Sequence, residues 1–158
     1  MSNHNSIITK GAGHALQFES KAAEAGIYPG MLVERSADGS FLKCNSNGTS
    51  ALNLVAIENS INGKDKDTVY ANGETVYARA LTPGMEVQVK LAASAAAVVY
   101  GDLLTCDGDG GVKKAVAFAQ AGGDGAVTLP SVPLYKAIEA VDNSANAASA
   151  VFILAQAL

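Results

Sequence analysis

The clearest periodicity in the chain lies at residues 85–91. Met85, Val87, Val89 and Leu91 alternate with Glu86, Gln88 and Lys90, the period of two that sends successive side chains to opposite faces of a strand. This predicts a half-buried strand. Met31-Leu32-Val33-Glu34 reads as another, and both runs follow a Pro-Gly pair, Pro29-Gly30 and Pro83-Gly84. In a type II turn, Pro fixes φ at the second position and Gly takes the positive φ required at the third. Four Asx-Gly pairs, Asp38-Gly39, Asn47-Gly48, Asn62-Gly63 and Asn72-Gly73, add hairpin chemistry. Thr68-Val69-Tyr70 and Thr75-Val76-Tyr77 flank the last of these, which predicts a hairpin. Val151-Phe152-Ile153-Leu154 reads as a buried strand. In residues 134–141, the helical spacing of Leu134, Ala137, Ile138 and Val141 competes with a strand; a strand is the reading taken. Alanine favours helix, so residues 92–97 suit a one-turn helix between strands.

Residues 1–26 follow neither period. Ile7, Ile8, Leu16 and Phe18 are scattered among Asn, Ser, Gly, His and Ala, and Gly11 and Gly13 loosen the segment. This reads as an extended arm that gains its structure against something else. An unpaired extended segment is best satisfied on the edge of a neighbouring sheet, with Ile7 or Ile8 in a pocket. Ile7, Ile8, Leu16 and Phe18 are therefore the candidate contact residues. Residues 27–158 read as one β-rich domain. Short strands between dense turn signals describe a barrel or sandwich. The expected fold is mainly β, a small barrel-like domain with an extended N-terminal arm and little helix.

Composition sharpens this picture. A length of 158 residues suits one domain and a core that needs no metal or disulfide. Charged residues are 16%, Trp is absent and Gly numbers 16. Average soluble domains carry about 25% charge, so a surface this lean suggests cover by other subunits. Small side chains would let copies approach closely around a three-fold axis, and a homotrimer is expected. A net charge of −4 and only two arginines, Arg35 and Arg79, argue against a nucleic-acid partner. No apolar run nears the roughly 18 residues of a membrane span, so no membrane role is expected. The opening Met1-Ser2-Asn3-His4-Asn5 lacks a basic start and apolar run, and synthesis in a cytoplasm is the expectation. Cys44 and Cys106 show no CxxC spacing and read as two reduced, core-type thiols.

Candidate chemistry is thin. Asp102, Asp107 and Asp109 could suggest a calcium loop, but the twelfth position from Asp107 holds Phe118 where an EF-hand needs Glu. An Asp-Gly turn leaving a strand explains them better. The glycine runs at 108–111 and 122–125 lack the Lys-Ser or Lys-Thr of a phosphate loop. The only histidines, His4 and His14, lie in the arm, where a catalytic base could not be held in position. Glu34 and Glu86 each follow a Pro-Gly turn and should face water. Lys64-Asp65-Lys66-Asp67 reads as a solvated hairpin tip. With no assembled active-site set and no ligand set for a cofactor, this reads as a protein that binds or builds, not an enzyme.

Three stretches resemble one family. Tyr28-Pro29-Gly30-Met31-Leu32-Val33-Glu34 looks like the opening strand of small bacteriophage capsid decoration, or cement, proteins. Residues 98–105, followed by Asp109-Gly110 and Val112-Lys113-Lys114, keep the same layout, as do residues 136–143 before a terminal strand. The resemblance implies a small β-barrel or β-tulip domain with an N-terminal arm, usually trimeric. It also implies a place on the outer capsid surface of the virion, where the protein clamps neighbouring major capsid proteins and stabilises the expanded shell. It carries over no catalytic residues. Other readings are a tail-tube or head–tail subunit, a carbohydrate-binding module and a small β-barrel enzyme. The carbohydrate reading lacks an aromatic platform, because Trp is absent and the five tyrosines are scattered.

Overall fold

A computed structural model describes residues 6–11, 16–46, 54–115, 119–120, 127–128 and 131–158. The turns at Asn47-Gly48 and 122–125, and both histidines, lie outside them. The strands are β1 (Ile8–Lys10), β2 (Leu16–Lys21), β3 (Val33–Arg35), β4 (Phe41–Lys43), β5 (Leu54–Ala56), β6 (Thr75–Ala80) and β7 (Glu86–Leu91). They continue with β8 (Leu103–Cys106), β9 (Val112–Lys114), β10 (Ala119–Gln120), β11 (Val127–Thr128), β12 (Tyr135–Ala137) and β13 (Val151–Ala157). The helix present among the described residues is a single 3-10 turn, Ser60–Asn62.

β7 organises the larger half. One edge runs antiparallel along β13, from Glu86 opposite Gln156 to Leu91 opposite Val151. β13 continues to β12, then β8, then β9. β9 returns to β7 through the parallel pair Leu91 and Val112, with the Ala92 N–H donating to the Val112 carbonyl at 2.9 Å. The result is a closed five-stranded β-barrel, as the sequence leads one to expect of its fold class. Closure removes the exposed edges that would otherwise invite association. The alternating residues Val87, Val89 and Leu91 are fully buried, and Met85 nearly so. Tyr135, Leu104, Cys106, Val112 and Ile153 join them inside. A five-stranded barrel is narrow, and Ala137, Ala155 and Ala157 fill inward positions where larger side chains would crowd Tyr135. Several alanines thus serve the barrel itself.

The smaller half is the sheet β2-β6-β5 with the β3–β4 hairpin. Its core gathers Ile27, Val33, Phe41, Tyr70, Val76 and Ala78. The two halves share a wall. Leu54 and Ala56 of β5 pack into this second core, whereas Val55 and the following Ile57 pack into the barrel core. Both faces of β5 are therefore buried, the setting that suits an uninterrupted apolar strand. Leu32 and Val33 divide in the same way.

Both Pro-Gly turns form as the sequence predicts. Gly30 has φ +86° and Gly84 φ +90°, with the Met31 N–H donating to the Tyr28 carbonyl at 3.1 Å and the Met85 N–H to the Thr82 carbonyl at 3.2 Å. Asp38-Gly39 turns the β3–β4 hairpin, and hydrogen bonds from Ser36 and Ser40 hold the Asp38 carboxyl down to about 2.

Two local expectations fail and a third holds only in part. Thr68–Tyr70 does not pair with Thr75–Tyr77: Tyr70 bridges to Ile27 and its hydroxyl donates to the Ile57 carbonyl at 2.7 Å, while β6 pairs with β2 along its length. Residues 92–97 form a turn, not a helix, with Ser94 at φ +55°. Residues 64–67 are solvated only in part: Asp65 and Asp67 are exposed, but Lys64 pairs with Glu74 at 3.0 Å, and the Lys66 ammonium lies 5.3 Å from the Phe152 ring centroid.

Candidate functional site

The four arm residues expected to reach a partner occupy three different situations. Ile7 is fully buried and Ile8 nearly so, both in the barrel core. β1 pairs with the edge of β7 that β13 leaves open, Ile8 opposite Val87. Polar ties hold it there: the Gln88 N–H donates to the Ile7 carbonyl at 2.7 Å, and the Gln88 side-chain amide to the Ser6 carbonyl at 2.8 Å. Glu58 accepts from the Ile7 N–H at 3.2 Å and from the Ser6 hydroxyl, and Lys10 pairs with Glu86 at 3.0 Å. Phe18, on β2, packs against the second core and lies 5.5 Å from the Arg35 guanidinium. Leu16, at the start of β2, is 69% exposed. Of the four, Leu16 alone offers a largely exposed apolar side chain.

Further apolar side chains reach solvent, Val69 and Leu158 among them. Ile61, on the 3-10 turn, is 94% exposed. Around the entry to β8, Val99, Tyr100, Leu103 and Val132 are all exposed. Val132 is tied to this strand by the Thr105 hydroxyl, which donates to its carbonyl at 2.7 Å. Alternation in β8 puts Leu104 inside the barrel and Leu103 outside. Nothing in the run Leu103-Leu104 tells which of the two faces out; the strand's facing in the barrel decides it.

A cleft of about 430 Å³ opens between the Tyr28–Met31 turn, the β8–β9 loop and residues 148–150, and is lined by Lys90, Asp107 and Asp109 among others. The Lys90 ammonium lies 3.7 Å from the Phe152 ring centroid and 5.5 Å from that of Tyr28. Burial pushes its pKa down, against the attraction of Asp67. The acids of the cleft are already engaged. One Asp107 oxygen accepts from the N–H groups of Asp109, at 2.8 Å, and Gly111, at 2.9 Å, and Asp109 pairs with Lys43 at 2.5 Å. Asp102 sits at the other end of β8, where its ion pair with Lys114 at 2.8 Å holds its pKa down. The structure therefore does not bring the three aspartates together. Each steadies a turn or an ion pair, an arrangement suited to holding the β8–β9 loop in shape rather than to moving protons.

Cys44 and Cys106 meet despite their separation in sequence. Both are buried, and their sulfurs lie 2.9 Å apart. Contact with Cys44 and burial together push the Cys106 thiol up.

No protein-family model and no curated protein matches the chain. Among solved structures, the base of the head fiber gp8.5 of bacteriophage phi29 is similar in backbone, with a TM-score of 0.52. The two share 12% sequence identity, over 91% of this chain and 94% of that one. Despite that low identity, the chain shares its fold with this head fiber base over nearly the whole of both chains.

Proposed function

We propose that this chain is a structural protein of a phage virion that sits on the outside of an icosahedral head. The observation that carries the reading is the fold shared with a phage head fiber base over almost the full length of both chains. The resemblance of residues 28–34, 98–114 and 136–143 to capsid decoration proteins points the same way. In its finer form the protein acts as a homotrimeric cement, bridging neighbouring major capsid proteins of the expanded shell. The exposed belt of Val99, Tyr100, Leu103 and Val132 suits contact between copies, and Leu16 and Ile61 suit contact with the head. The engaged carboxylates of the cleft support a non-enzymatic role.

A second reading is favoured by the described neighbour: the chain is a base that plants a longer fiber on the head. One experiment separates these readings from each other and from failure. Purified protein is mixed with expanded, undecorated heads and examined by cosedimentation and electron microscopy. Cement function predicts ordered density at three-fold or quasi-three-fold positions and heads that resist heat better. A fiber base predicts binding with no gain in head stability. Protein that stays in the supernatant at saturating concentration refutes the head-surface reading. Leu16→Asp or Ile61→Asp should weaken binding at least tenfold while leaving melting unchanged.

A further inference from the structure

We propose that Cys44 and Cys106 are the two halves of an intramolecular disulfide that forms under oxidising conditions and staples the β3–β4 hairpin to the barrel. The pair was not visible in the sequence, where 62 positions separate the two residues and the spacing suggested independent thiols. Cys44 directly follows β4, and Cys106 ends β8. Their sulfurs stand 2.9 Å apart, and a bonded pair stands at about 2.05 Å. Less than 1 Å of approach is needed, within reach of a small side-chain rotation.

The backbone on both sides is held in place. The Cys44 N–H donates to the Leu32 carbonyl at 2.9 Å, and the Cys44 carbonyl accepts from Gly110 at 3.0 Å and from the Cys106 thiol at 3.3 Å. The two thiols therefore do not meet by chance fluctuation; the β8–β9 loop and the β3–β4 hairpin are docked on one another at this point.

The chemistry balances with a small disulfide such as oxidised glutathione. One cysteine thiolate attacks the glutathione disulfide and expels one glutathione thiolate, leaving a mixed disulfide on the protein. The second cysteine thiolate attacks the protein sulfur of that bond and expels the other glutathione. Two protein thiols are oxidised, one glutathione disulfide is reduced to two thiols, and the two protons go to the departing thiolates. Burial and mutual contact disfavour the thiolate in the closed fold, so exchange runs through a transient opening or during folding. Once formed, the bond closes a long loop and constrains the unfolded chain. The inference is independent of the virion reading.

The test equilibrates the full chain in glutathione buffer with about tenfold more reduced than oxidised form, approached from both reduced and oxidised protein. Each sample is then denatured in excess iodoacetamide and weighed intact. The proposal expects a monomeric chain two hydrogens lighter, without alkyl adducts, and a tryptic digest containing the cross-linked Cys44 and Cys106 peptides. It also expects a melting temperature roughly 5–15 °C above that of the reduced chain. That gain should vanish in Cys44→Ser and in Cys106→Ser, each compared with its own reduced form. Two alkyl adducts at equilibrium, stable glutathione adducts, or cross-linked dimers would each overturn it.

Discussion

Gly30 meets three demands at one residue. Its φ of +86° closes the first Pro-Gly turn, its N–H donates to the Ala56 carbonyl at 2.8 Å, and its carbonyl accepts from the Lys90 N–H at 3.0 Å. A Cβ there would stand 2.7 Å from the Phe152 ring and 3.1 Å from the Gln88 carbonyl. Gly30→Ala should therefore cost about 1–2 kcal/mol for the left-handed backbone and about 1–3 kcal/mol more for overpacking. Gly63 is the control: its φ is +69°, but a Cβ would meet nothing within 4 Å. Gly63→Ala should show the backbone cost alone. Urea denaturation of the two variants checks the difference, and equal losses would show that the Phe152 contact does not constrain the turn.

At the scale of elements, β7 is the strand that everything else completes. β13 fills one edge. The other is divided among three partners: β1 at Val87, the Gly30 turn at Lys90, and β9 at Leu91. The arm is thus one of the strands that finish β7, and its removal uncovers backbone donors and the core beneath Ile7. Truncating the fully buried Ile7 to Ala should cost about 2–5 kcal/mol, the range for a large aliphatic side chain deleted from a core. Deleting residues 2–10 should lower the melting temperature by several degrees, read by calorimetry. This departs from the sequence expectation of an arm structured only by a partner, and the reason is local: Ile7 and Ile8 find their pocket on the chain's own barrel. A deletion that leaves melting unchanged would return the segment to the role of an external arm.

At the scale of the whole molecule, the lean charge of the chain has two explanations, and the structure assigns uncharged residues to each. Ala137, Ala155 and Ala157 are barrel interior. Val99, Tyr100, Leu103 and Val132 remain outside, and exposed apolar side chains grouped around one strand are the usual mark of an interface. Light scattering on dilute protein should return about three times the 16.0 kDa mass of the chain. Leu103→Glu should return the monomer, with the barrel still folded by circular dichroism. A monomeric parent chain would remove the homotrimer from the proposal, and a hexameric ring would favour a tail subunit.

What the sequence determined by itself was decided by short-range chemistry. The alternation at residues 85–91, the Pro-Gly turns and the Asp38-Gly39 hairpin depend on side-chain period and on the φ that Pro and Gly permit, and these act within a few residues. From them the mainly β, barrel-like class was legible, and so was the role of Asp107 as a turn residue. Tertiary structure decided the rest, because each remaining choice is a competition between distant partners. Thr68–Tyr70 has the makings of a hairpin strand, but β2 and β5 supply the partners of β6, and Tyr70 serves the second core through Ile27 and Ile57. Residues 92–97 have helical composition, yet Ala92 must close the barrel on Val112, and Val98 must pair with Val141. The meeting of Cys44 with Cys106 and the outward turn of Leu103 have no local signature. They follow from which strands lie side by side, and that is set by burying two cores against the shared strand β5.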